Sequence, residues 1–293
     1  MRILVIANPV AGPSRGRLSG EQAGDLLTAR GARVTVQTTR APGHATELAR
    51  EAVGSVDVVV AVGGDGTVLE TASGLVGTGL PLAVLPSGSG NDFATANGVG
   101  TIAAGIESIF AGQVCELDVG ALDEALFFNS VGLLGSGLVS GTANRLRRWL
   151  GQRRYVLAGA YHVMTFKGQR LQWLAPGSDE TVIDDVFMMV EVCNGPLTGG
   201  GFRFAPDAVF DDGLLDICLF RMVGALTGLR LLPRAAGGQT INHTAASVLR
   251  AGDMRFVSDE PVAYHRDGEP GILPAGMHRI RILEEKLRFC RPA

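Results

Sequence analysis

The segment Val58-Val59-Val60-Ala61-Val62-Gly63-Gly64-Asp65-Gly66-Thr67 decides the fold. Its first five residues are apolar without alternation and mostly β-branched. They read as a strand buried on both faces, at the centre of a parallel sheet. Glycines end the strand at once, and a helix is expected from Thr67. Open α/β sheets bind ligands at such strand ends. Glycine lets the backbone approach a phosphate, and the N–H groups at a helix start attract anions. Asp65 admits two roles from the residues alone: a carboxylate that meets phosphate through Mg²⁺ or water, or a helix N-cap.

Reading outward, Arg2–Ala7 is a strand followed by the turn-rich Asn8–Gly16, then a helix over Leu18–Arg30, a strand over Val34–Thr38 and a helix over His44–Val53. On the other side Leu82–Leu85 is a strand that ends in Pro86-Ser87-Gly88-Ser89-Gly90-Asn91-Asp92. A helix over Thr101–Gly112 and an extended Cys115–Val119 follow. This alternation predicts a parallel sheet with helices on both faces. Three polar glycine turns, at Asn8–Gly12, Gly63–Thr67 and Ser87–Asn91, then converge on one sheet edge and are read as a nucleotide site.

After Val119 the pattern changes. Strands are expected at Leu126–Ser130, Leu171–Leu174, Val186–Cys193, Leu215–Phe220, Met254–Val257 and Val262–His265, with one clear helix at Tyr155–Phe166. The fold class is therefore an α/β nucleotide-binding domain plus a second, mostly antiparallel β-sandwich domain. The boundaries are 1–119 plus 277–293 for the first and 120–276 for the second, because Met277–Leu283 and Leu287–Cys290 alternate like strands that return to the first domain.

Composition narrows the function. The 293 residues are 46% hydrophobic and 19% charged, which suits two packed domains and excludes a mainly disordered chain. A net charge of −3 offers no global basic field, so no nucleic-acid partner is expected. Cys115, Cys193, Cys218 and Cys290 lie far apart with no C-x-x-C, as for reduced core thiols of a cytoplasmic protein. No apolar run reaches about 18 residues, so membrane contact would be peripheral. A Walker lysine motif, the H-R-D and D-F-G pair, a G-x-G-x-x-G after the first strand, a nucleophile elbow and H-E-x-x-H are all absent. Arg145-Leu146-Arg147-Arg148-Trp149-Leu150-Gly151-Gln152-Arg153-Arg154-Tyr155 holds five arginines and no acid. It reads either as a basic helix end with Trp149 and Tyr155 in the core, or as a docking surface for anionic headgroups. Nothing in the sequence sets the oligomeric state, and a homodimer is allowed.

Gly63-Gly64-Asp65-Gly66-Thr67 with Leu85-Pro86-Ser87-Gly88-Ser89-Gly90-Asn91-Asp92-Phe93-Ala94 resembles the diacylglycerol kinase catalytic domain, a family that includes sphingosine, ceramide and bacterial lipid kinases. The opening Asn8-Pro9-x-x-Gly12 is similar to its first motif. Asn194-Gly195-Pro196, Gly199-Gly200-Gly201-Phe202, Ala205-Pro206 and Asp211-Asp212-Gly213-Leu214-Leu215-Asp216 resemble its second-domain motif, and Asp267-Gly268-Glu269 its late acidic motif. The resemblance implies an ATP- and Mg²⁺-dependent kinase of a lipid hydroxyl, at the cytoplasmic membrane surface, with its active site in the cleft between the domains. It places ATP on Asn8, Pro9, Gly12, Thr39, Gly63, Gly64, Asp65, Gly66, Thr67, Glu70, Ser87, Gly88, Ser89, Gly90 and Asn91. Asp65, Asn91 and Asp92 would organise Mg²⁺ and triphosphate, Asp267 would be the general base, and Glu269 would hold the Mg²⁺–water network. A structural cation is implied at Asp212 with the carbonyls of Val209 and Leu214. Ser87, Ser89, Thr95 and Pro13 depart from the usual residues of these motifs, which bears on the identity of the substrate. From spacing alone Asp267-Gly268 also reads as a plain hairpin turn. The alternatives to a lipid kinase are a kinase of a soluble acceptor such as NAD and a nucleotide-binding regulator without catalysis.

Overall fold

The computed structural model describes residues 1–9, 18–88, 90–111, 113–146, 150–151, 153–236 and 244–292. In chain order the first elements are β1 (Arg2–Ala7), α1 (Gly20–Ala29), β2 (Arg33–Thr38), α2 (His44–Glu51), β3 (Val58–Gly63), α3 (Asp65–Leu75), β4 (Leu82–Pro86), α4 (Asp92–Ala96), α5 (Ile102–Phe110) and β5 (Val114–Leu117). Then come β6 (Gly120–Leu122), β7 (Ala125–Phe127), β8 (Ser130–Leu134), α6 (Gly135–Arg145), α7 (Arg153–Thr165), β9 (Gln169–Leu174), β10 (Thr181–Cys193) and β11 (Leu215–Arg221). The last are α8 (Ala225–Ala236), β12 (Ala246–Ala251), β13 (Asp253–Ser258), β14 (Val262–Arg266), β15 (Glu269–Leu273), β16 (Gly276–Ile282) and β17 (Leu287–Cys290). The chain divides into two compact units, Met1–Val119 with Glu284–Ala293, and Gly120–Leu283.

The first unit is built on a six-stranded sheet in the order β2-β1-β3-β4-β17-β5. The strands from β2 to β4 are parallel. All six residues of β3 are buried, because helices cover both faces of the sheet. On one face Ile3, Val5, Val60, Val62, Ala83 and Leu85 meet Ala23 and Leu27 of α1 and Ile106 and Ile109 of α5. The register sets Ala7 beside Thr38 and Val62, and Gly63 beside Pro86, so the carboxyl ends of four neighbouring strands form one edge.

The second unit is antiparallel throughout, an 11-stranded β-sandwich sheet with β11 and β12 branching from β10. The thirteen-residue β10 turns the corner. Its first half pairs with β9, and past an irregularity at Phe187–Met189 its second half pairs with β8 and β11. Strands that bend between layers in this way close a sandwich. Trp173, Phe127, Phe187 and Phe256 fill the interior.

Three expectations change. The tail divides: β16 pairs with β13 and β6 in the second unit, and only β17 joins the first sheet. The boundary expected at 277 therefore falls at 284. Alternation marks a strand but not its partner. The strand expected over Leu126–Ser130 is two strands, β7 and β8, broken where the backbone serves Asp267. Finally, few helices were expected after Val119, and α6 is one that the sequence does not announce, because Gly135, Gly137 and Gly141 lower its helix propensity. Its glycines are contact points: a Cβ on Gly137 would lie 2.4 Å from the Tyr264 nitrogen, and one on Gly135 2.5 Å from the Met188 carbonyl.

Candidate functional site

Two loci carry chemistry, one in each unit. In the first unit the turns after β3 and β4 touch backbone to backbone: a Cβ on Gly88 would sit 2.4 Å from the Gly64 Cα. Ser87 N–H donates to the Gly63 carbonyl at 2.8 Å. Asn91 adopts a left-handed φ of +59° and folds its amide back on its own turn, accepting from Gly88 N–H at 2.9 Å and donating to Gly88 O at 3.1 Å. The Asp65 carboxylate accepts from Asn91 N–H at 2.8 Å and Phe93 N–H at 3.3 Å. Burial raises its pKa above the ordinary value, against those amides. Asp65 thus clamps the second glycine turn and the start of α4. Both oxygens face backbone amides.

The start of α3 has no side-chain cap, and Gly66 at its tip is exposed. Its first N–H groups are a ready anion site. Thr67 and Ser87 are buried beside it, and Asp92 is buried at the start of α4. Thr39 closes β2 by donating to the Ala7 carbonyl, and Asn8 leaves β1 by donating to that of Val62. Glu70 turns to the start of α2, where Ala45 N–H reaches its carboxylate at 3.4 Å. Pro9 and Gly90 are exposed. The expectations for Gly12, Ser89, Arg147, Arg148 and Trp149 lie outside the described residues.

The second locus surrounds Asp267. Asp267-Gly268 is a two-residue hairpin turn joining β14 to β15, with φ of +47° and +87°, as a primed turn demands. The turn is also a site, because the Asp267 carboxylate accepts from the amides of Phe128, Asn129 and Ser130 at 2.7, 2.8 and 2.8 Å. Asn194, from the resemblance's second-domain motif, braces that loop by donating to Phe128 O at 2.8 Å. Ser140 and Asn144 of α6 hold the Gly268 carbonyl. Glu269 is exposed and lies 3.6 Å from Arg266.

Behind the turn, sequence reasoning missed a buried polar cluster. Glu191 on β10 is fully enclosed and accepts from Ser136 at 2.6 Å and Ser130 at 3.0 Å, and it lies 3.4 Å from His265 Nε2. Burial pushes Glu191 up, but the His265 charge and the hydroxyls outweigh it and lower its pKa. Burial likewise pulls His265 down, and Glu191 with Asp267 outweighs it and raises the ring's pKa. Gly268 N–H points at His265 Nδ1 from 3.4 Å, too long to oppose the two carboxylates. The pair is ionic. The signal was an acid inside an apolar strand, Val190-Glu191-Val192.

Ser136, Glu191, His265 and Gly268 form one end of a cavity of about 100 Å³. Its other walls are mostly apolar, including Val139, Tyr155, Val163, Phe166, Met188 and Phe202.

The cation expected at Asp212 does not fit the arrangement. Leu214 N–H donates to one carboxylate oxygen at 3.0 Å, and Arg250 engages the other while pairing with Asp216 at 3.1 Å. A guanidinium already neutralises the turn. Among the described residues no group of three or more His, Cys, Asp or Glu side chains could hold a metal.

The fold, an α/β unit and an antiparallel sandwich, is the one that diacylglycerol kinases and NAD kinases share. The chain belongs to the family of the YegS C-terminal NAD kinase beta sandwich-like domain, whose model matches residues 130–289. Residues 2–122 match the diacylglycerol kinase catalytic domain. The curated "Probable lipid kinase YegS-like" protein of Klebsiella pneumoniae (strain 342) is 29% identical over 278 residues, covering 92% of this chain and 90% of the relative. That of Alcanivorax borkumensis is 29% identical over 276 residues, covering 89% and 88%. Among solved structures, a diacylglycerol kinase from Bacillus anthracis str. Sterne superposes with a TM-score of 0.74 at 22% identity, covering 99% of this chain and 96% of its own. An NAD kinase from Archaeoglobus fulgidus in complex with ATP gives 0.54 at 14%, covering 100% and 94%. Among the described residues no helix is long and apolar enough to cross a membrane.

Proposed function

We propose that this chain transfers the γ-phosphoryl group of Mg·ATP to the hydroxyl of a lipid, with ATP held by the first unit and the lipid by the second. The observation that carries the reading is the cavity: a mostly apolar chamber with the Glu191–His265 pair and a serine hydroxyl at one end, and the Asp267 turn in its wall. Such a chamber suits a hydrocarbon chain that ends in a hydrogen-bonding head. An acceptor such as NAD would need polar partners for its riboses and adenine along the whole of its length, whereas these walls are mostly apolar.

At the first locus the α3 amides and the glycine turns receive the triphosphate, and Asp65 and Asn91 hold those turns in place. Magnesium fits as the ion of Mg·ATP, because phosphates and water can supply most of its ligands. Bound there, it would neutralise charge on the phosphates. Phosphoryl transfer through a loose transition state asks mainly for position and charge neutralisation. Three amides orient the Asp267 carboxylate, and the acceptor's proton passes to it as the new P–O bond forms and the bond from the γ-phosphorus to ADP breaks.

The test is radiolabelled ATP with diacylglycerol, a sphingoid base, ceramide, phosphatidylglycerol and NAD, resolved by chromatography. Label is expected in a lipid. Label in NAD alone, or in no acceptor, refutes the reading. Asp267→Asn should lower turnover by roughly 10²–10⁴-fold while ATP still binds, and unchanged turnover would remove Asp267 from the role.

A further inference from the structure

Helix α7 is apolar on two opposite sides. One side, with Tyr155, Gly159, His162, Val163 and Phe166, lines the cavity. The residues Leu157, Tyr161 and Met164 follow the same i, i+4, i+7 spacing but start two positions later, about 200° around the helix. They are 55%, 58% and 69% exposed. The neighbouring α8, whose Gly228 faces Val163, adds Leu226 at 74% exposure. A helix with two apolar faces is normally covered on both. Among the described residues nothing covers the outer side.

Charge says what belongs there. From Ala125 to Ser178 the sequence has no Asp or Glu, yet it holds Arg145, Arg147, Arg148, Arg153, Arg154 and Lys167, besides Arg170, which pairs with Asp184, in a chain whose net charge is −3. From Ile217 to Gly252 there is again no acid, with Arg230 and Arg234 on α8. An exposed apolar stripe in an acid-free, arginine-bearing region is complementary to an anionic bilayer. We infer that the outer face of α7, with Leu226 of α8, lies in the headgroup region of an anionic membrane, with α7 as the wall between that membrane and the lipid cavity. This rests on the lipid-kinase reading for its purpose but not for its test.

The full-length protein is sedimented, without ATP, with vesicles of phosphatidylcholine alone or mixed with phosphatidylglycerol. It should pellet with the mixed vesicles and be released by salt. Leu157→Glu with Met164→Glu should weaken binding at least about tenfold. A Leu157→Trp variant should show blue-shifted emission on the mixed vesicles. Neither residue lines the cavity, so turnover on a dispersed short-chain lipid should stay within about twofold. Three results overturn the inference: wild-type protein that stays in the supernatant, a double variant that pellets like wild type, or a dimer that the double variant splits. If no lipid is phosphorylated but pelleting behaves as expected, the kinase reading fails and the docking face stands.

Discussion

Replacing Glu191 by Gln isolates the ionic cluster behind the Asp267 turn. The side chain keeps its volume, so no cavity opens. It loses the charge that faces His265 at 3.4 Å, and an NH₂ group stands where one oxygen accepts from Ser130 or Ser136. Removing one partner of a buried ion pair costs about 3–5 kcal/mol. Here His265 can shed its proton and the amide oxygen keeps one serine, worth about 1 kcal/mol. The expected loss is therefore about 2–4 kcal/mol, roughly 5–10 °C in melting temperature for units of this size. The sign with pH follows from the two shifts. The raised pKa of His265 stabilises the fold below its ordinary value near 6.5 and is lost as pH rises through the folded value. The lowered pKa of Glu191 stabilises above its ordinary value of 4.5 and is lost as pH falls through the folded one. The gap between wild type and E191Q should be widest between about pH 4.5 and 6.5 and should close in alkali. Thermal unfolding followed by the fluorescence of Trp173, which is buried in the same unit, reads it. A variant within about 0.5 kcal/mol of wild type at pH 6, with a parallel pH profile, would show that the pair is not ionised.

Gly88→Ala places a Cβ 2.4 Å from the Gly64 Cα, so the two turns must part. ATP affinity should fall about tenfold or more with a stability loss of about 1–3 kcal/mol, as calorimetric titration and melting would measure. The Arg250 bridge predicts that EDTA leaves the melting temperature of the wild-type protein unchanged. Arg250→Met leaves Asp212 and Asp216 without their shared cation, so it should lower the melting temperature and make it rise with added magnesium. A wild-type melt that depends on magnesium would place a metal at that turn.

What was legible in the sequence depended on whether the decisive partner was near along the chain. The run Val58–Val62 announces a strand covered on both faces, and its glycine ending announces a ligand edge, because both signals are local. The role of Asp65 was not local: its oxygens meet amides at Asn91 and Phe93, 26 and 28 residues on, so cap and magnesium contact stayed equally open. Asp267-Gly268 was correctly legible as a hairpin turn, yet what makes it more is the row of amides at 128–130, nearly 140 residues earlier. The same row splits the strand expected there, since amides given to a carboxylate cannot join a sheet ladder. Helix α7 shows the limit most clearly. Its apolar residues are visible in the sequence, but a helix that is apolar all round reads as a core helix. Only the fold shows that half of that surface faces a cavity and the other half faces outward, and it is this division that turns a packing pattern into a proposal about a membrane.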